Sequence, residues 1–75
     1  MEDRITFIKT NSIVDILDKM KEWGYVPIKE KPDMHQADKW WAGFGYEPTR
    51  TISFAYADNA EEAVRQAAIK AIAEV

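Results

Sequence analysis

Three places in this chain carry residue types that could do chemistry, and their spacing limits what that chemistry could be. His35 lies in 32–38 (PDMHQAD) with Asp33 and Asp38 close by. An imidazole beside carboxylates is the beginning of a metal or acid–base site, but such a site needs a second imidazole or a converging carboxylate cluster. His35 is the sole histidine, so a solvated loop histidine beside loop acids is the simpler reading. Gly43 and Gly45 form a GFG triplet. They sit inside a strand-like run rather than before a helix, which points to close packing or a bulge instead of anion binding. Trp40 and Trp41 are adjacent. In a strand they must point to opposite faces, so one belongs to a core and the other meets an N-terminal arm, a second subunit or a partner. With no cysteine, no Ser-His-Asp arrangement and no glycine-rich phosphate loop, the chain is expected to be no enzyme and to need no cofactor or metal.

The elements that would position these residues are readable from periodicity. In 58–75 (DNAEEAVRQAAIKAIAEV), Ala60, Ala63, Val64, Ala67, Ala68, Ala71, Ile72 and Val75 recur at the spacing of one helical face. Asn59 or Asp58 caps this helix, with Glu61 and Glu62 in its first turn where the dipole favours carboxylates. An earlier helix begins at Ser12, with Asp15 three residues on and an apolar stripe of Ile13, Ile16, Leu17, Met20 and Trp23; Gly24 ends it in the left-handed position. Between the helices lie three strand-like runs, 25–31 (YVPIKEK), 39–46 (KWWAGFGY) and 51–57 (TISFAYA). Pro27 assigns the first to an edge. Glu47, Pro48, Thr49 and Arg50 make a turn with proline second. Before Ser12, Arg4 to Lys9 alternates polar and apolar residues and reads as a short strand or extended arm.

The expected architecture is α+β in a single domain, 1–75: an optional N-terminal strand or arm, helix, three-stranded antiparallel sheet, helix. Alternation groups Trp40, Ala42, Phe44 and Tyr46 on one side of their strand, and Ile52, Phe54 and Tyr56 on one side of theirs. Bulk suggests that both heavy groups meet the helices. The opposite face would then carry Trp41, Gly43, Gly45, Thr51, Ser53, Ala55 and Ala57, a floor of small residues around one tryptophan. Arg50 stands at its end.

A chain of 75 residues must bury most of its large side chains to fold alone, and three Trp, three Tyr and three Phe supply them. A formal charge of −3 and a pI near 5.0 argue against a general nucleic-acid binder. The acidic residues are interspersed with Lys19, Lys21, Arg65 and Lys70, a pattern of ordinary solvated helix faces. The absence of cysteine suits a reducing cytoplasm, and no apolar run approaches a membrane span.

The pieces ILDKMKEWGY, WWAGFGYEPTR and AYADNAEEAVRQAAIKAIAE resemble the phage ABA sandwich domain family. Its members typically have a helix ending in a Met-x-x-x-Gly-like turn, an aromatic-rich strand and an alanine-rich C-terminal helix. The resemblance implies a phage or prophage origin and a bacterial host cytoplasm; it implies no activity. The helix, three strands, helix order also resembles the double-stranded RNA-binding domain, with Met34-His35 in the loop where that family uses a histidine. That family grips phosphates with lysines at the start of its last helix, where this chain has Asn59, Ala60, Glu61 and Glu62.

Together these readings predict a small phage-type accessory protein that binds a host or phage protein, inhibition of a host defence nuclease being one form of that binding. The partner-binding residues would be Trp41, Gly43, Gly45, Arg50, Ser53 and Ala55. The alternatives are a double-stranded RNA-binding-type module using Lys29, Lys31, His35, Lys39 and Arg50, and a homodimeric structural factor.

Overall fold

The computed structural model describes residues 3–28 and 39–74. The expected loop over 32–38, with His35, and the lysines at 29 and 31 lie outside them. Within them the order is α1 (Arg4–Thr10), α2 (Ile13–Glu22), β1 (Tyr25–Pro27), β2 (Trp40–Tyr46), β3 (Thr51–Ala57) and α3 (Ala60–Glu74). The sheet is antiparallel in the order β1-β2-β3, so the strand containing Pro27 is an edge, as its missing N–H requires. The chain is an α+β domain.

The N-terminal run is a helix, not a strand or arm. Asp3 decides this: its Oδ1 accepts the Ile5 N–H at 3.0 Å and its Oδ2 accepts the Thr6 hydroxyl at 2.9 Å, satisfying donors that a helix start leaves open. The alternation in RITFIKT is outweighed because Ile8 enters the core while Phe7 turns to Trp23, their rings 5.9 Å apart edge to face. The Arg4 guanidinium lies 4.9 Å from the Trp23 ring and completes this seam. The α1 helix therefore sits beside α2 and α3 and covers none of the sheet's other face.

The α2 helix starts and stops where its caps dictate. Ser12 Oγ accepts the Asp15 N–H, and Gly24, with φ of 99°, closes the last turn through its N–H to the Lys21 carbonyl. Ile16 and Met20 are buried, whereas Leu17 is 38 % exposed. Asn59 caps α3 through its Oδ1 and the Glu62 N–H at 2.8 Å, and Ala63, Ala67, Ala68 and Ala71 form its buried face. These alanines let the helix lie close on the small residues of β3. Core side chains gather between the layers: Ile8, Ile16, Met20, Tyr25 and Phe44 against the α3 alanines. Tyr25 stacks at 4.7 Å on Tyr46, and burial, then the neighbouring Tyr46, raises its pKa. The shortest principal extent of the molecule is 17 Å, the depth of one helix layer on one sheet.

Arg65 of α3 ties the helices together. Its Nη1 donates to the carbonyls of Ile8 and, at 3.0 Å, Asn11, and its Nη2 meets Glu61 at 3.0 Å. It completes the C-terminus of α1 instead of diluting the charge of a solvated helix face.

Candidate binding face of the sheet

Register, not bulk, determines what shares a face. In the β2–β3 ladder Phe44 pairs with Ser53, Ala42 with Ala55 and Trp40 with Ala57, while Trp41 pairs with Tyr56, Gly43 with Phe54 and Gly45 with Ile52. Val26 of β1 joins the second set opposite Gly45. The two heavy groups expected together are therefore on opposite sides. Phe44 faces the helices among small β3 residues, and Ile52, Phe54 and Tyr56 stand on the open face with Trp41, Gly43 and Gly45. The four-residue turn 47–50 sets this parity by pairing Tyr46 with Thr51.

Of the residues expected to bind a partner, Trp41, Gly43 and Gly45 share the open face, and Arg50 lies at its end. Ser53 and Ala55 do not: they lie on the helix side, where Ser53 is 2 % exposed and its hydroxyl donates to Glu74 of α3. Trp40, expected in the core, is 57 % exposed. It points to the helix side but stands at the very start of β2, beyond the helices' cover. Ile52, Phe54, Tyr56, Val26 and Ile28 are the members of the open face that sequence reasoning missed. The signal for Phe54 was Gly43: a glycine in mid-strand invites a large neighbour to lie across it.

The glycines are filled, not bare. A Cβ on Gly43 would lie 2.6 and 2.7 Å from carbons of the Phe54 ring, and one on Gly45 would lie 3.3 Å from Ile28 Cδ1. Phe54 thus lies down over the backbone at Gly43, and Trp41 meets it edge to face at 6.0 Å. At the turn end the surface dips. Val26, Ile28, Gly45 and Ile52 line a shallow concavity of about 460 Å³, with Glu47 and Arg50 at its rim. Val26 is 44 % and Ile52 57 % exposed. Arg50 adopts φ of 56°, in the left-handed region that disfavours side chains, and its N–H closes the turn onto the Glu47 carbonyl at 3.2 Å. At the opposite end Lys39 pairs with Asp58 and holds that carboxyl below the usual range, by hydrogen bond first and charge second.

Lys39 and Arg50 stand at opposite ends of the hairpin, about 20 Å apart along the strands. The structure does not bring them together as a phosphate grip, and the first turn of α3 presents Glu61 and Glu62. Among the described residues no three His, Asp or Glu side chains converge as metal ligands, and no helix is long and apolar enough to cross a membrane. The sheet edges are guarded. Lys70 donates its ammonium to the Phe54 carbonyl at 3.1 Å on β3, and β1 carries Pro27. No family model matches this chain, and no curated protein or solved structure is significantly similar to it.

Proposed function

We propose that this protein acts by binding another protein through its open sheet face, not by chemistry on a substrate. The observation that supports this most is the run of apolar side chains from Trp41 and Tyr56 to Val26 and Ile52, which among the described residues no helix covers. Contiguous apolar surface of this kind characterises interaction sites. The resemblance to phage domains favours a phage or prophage accessory protein working in a bacterial cytoplasm, with a host or phage protein as partner. Restraint of a host defence nuclease is the form of activity such an origin suits. Binding of duplex RNA is disfavoured by the carboxylates at the start of α3 and by the separation of Lys39 from Arg50.

Affinity capture with the tagged wild-type chain and with Ile52→Asp tests this reading. Ile52 is exposed, so the variant should fold. A protein retained by the wild type and lost with Ile52→Asp is the expected result; identical captures would sink it. Low-micromolar binding of duplex RNA that weakens steeply with salt would promote the nucleic-acid alternative instead.

A further inference from the structure

We infer that the occupant of the open face is a second copy of this chain, seated about a twofold axis so that Trp41 of each copy enters the concavity of the other. This rests on the binding role of the same face and names what occupies it in the free protein, in a weak association that a host or phage partner would displace. The two ends of the face differ in shape and chemistry. One is the aliphatic hollow formed by Val26, Ile28, Gly45 and Ile52, and the other is the aromatic pair Trp41 and Tyr56. Trp41 and Gly45 are four residues apart on β2, about 13 Å. A twofold axis lying in the plane between the two faces and running across the strands near Gly43 exchanges the ends, laying an aromatic knob over an aliphatic hollow twice, as an isologous contact requires.

Charge favours this occupant over an acidic or basic one. The whole chain carries −3, so copies meeting through an average surface would repel. Among the described residues the open face carries one charge of each sign at either end: Glu47 and Arg50 by the hollow, Lys39 and Asp58 by the aromatic pair. The same twofold axis brings these rims together, placing Arg50 toward Asp58 and Glu47 toward Lys39 of the other copy, with no surplus of either sign among the described residues. A strongly charged partner would gain nothing from such a neutral surface. Strand addition, the other route by which a small sheet dimerises, is hindered by Lys70 on one edge and Pro27 on the other. The size of the face sets the strength. Three strands of up to seven residues span about 300 Å² in projection, so two copies with their rims reach only the low end of specific interfaces, where association is weak and concentration-dependent.

Sedimentation equilibrium of the full chain tests this, with circular dichroism as a control for folding. The wild-type mass should rise from 8.6 kDa toward twice that between about 10 and 500 µM. Ile52→Asp should keep the wild-type spectrum and raise the dissociation constant at least about tenfold. In a sample mixing isotope-labelled and unlabelled copies, filtered NOEs should connect the Trp41 ring to the Val26 and Ile52 methyls across the interface. A wild type that stays monomeric at 500 µM overturns the inference. So does a dimer indifferent to Ile52→Asp, or one whose filtered contacts run through Val14 and Leu17, the exposed apolar residues of α2. A monomer that still captures a different protein in an Ile52-dependent way rejects the second copy while leaving the binding role intact.

Discussion

On the helix side of the sheet, Phe44 lies among small side chains at the middle, with Tyr25, Tyr46 and Trp40 toward the ends. Ala42, Ser53, Ala55 and Ala57 lie there, and the alanines of α3 descend onto them. On the open side the proportion is reversed: Trp41, Ile52, Phe54 and Tyr56 stand over two glycines. Both faces fit large groups to small ones, but the helix side excludes water with a second layer, whereas the open side folds its own rings over its own backbone and leaves them partly wet. The bulk of a strand face therefore does not reveal which side is the core. A face of alanine and serine can be the buried one when an alanine helix comes close enough to seal it, and a face of aromatics can be the one left outside.

Truncation breaks the comparison most severely. Phe44→Ala should cost about 3–5 kcal/mol, a large share of the roughly 4–11 kcal/mol that a chain of this length holds, while Trp40→Ala should cost under about 1 kcal/mol because its ring is mostly wet. Urea unfolding of the two variants reads both, and equal losses would mean that Trp40 is a core residue after all. Added methyl groups come next. Ala68→Leu on α3 and Gly43→Ala beneath Phe54 should each cost about 1–3 kcal/mol by overpacking. Thermal melts decide, and an unchanged midpoint for Gly43→Ala would show that the Phe54 ring lifts away without loss. In the opposite direction, Arg50→Gly should stabilise by about 0.5–1 kcal/mol, the relief of a left-handed residue less the extra chain entropy of glycine; a lower midpoint would mean that the Arg50 side chain contributes more than its backbone costs.

The smallest effect concerns the start of α1. Bonds from the Thr6 hydroxyl first, and from the Ile5 N–H, hold the Asp3 pKa below its usual value. A depressed folded-state pKa means that the contribution is complete above the unfolded value and is lost as pH falls through the folded one. Amide protection of Ile5 and Thr6 should therefore fall below about pH 4, while Asp3→Ala should show lower protection with no such step.

Local signals carried most of the architecture. Ser12, Gly24 and Asn59 mark helix ends by their own hydrogen bonding or φ, Pro27 marks an edge, and the alanine stripe marks the seat of α3. Each acts within a few residues, so each can be read from neighbours in the chain. The α1 helix is hidden by alternation in RITFIKT that resembles a strand, and the mark against that reading is the capping aspartate just before it. The open face was half readable. Alternation correctly grouped Trp41, Gly43 and Gly45, yet which group of β3 joins them depends on the parity of pairing across the 47–50 turn, and one residue of slip exchanges Ser53 and Ala55 for Phe54 and Ile52. Side-chain bulk is a poor guide to that parity; the glycine opposite Phe54 was the better one.

Arg65 has a consequence for how the chain comes into being. It donates to carbonyls 57 and 54 residues earlier, and the helix that bears it is translated after every element it covers. Until α3 has emerged from the ribosome, Ile8 lacks the alanine wall of α3, the carbonyls of Ile8 and Asn11 lack their guanidinium, and the alanine and serine side of the sheet has no roof. These elements must therefore remain open to proteases and chaperones until α3 has been made and can close over them.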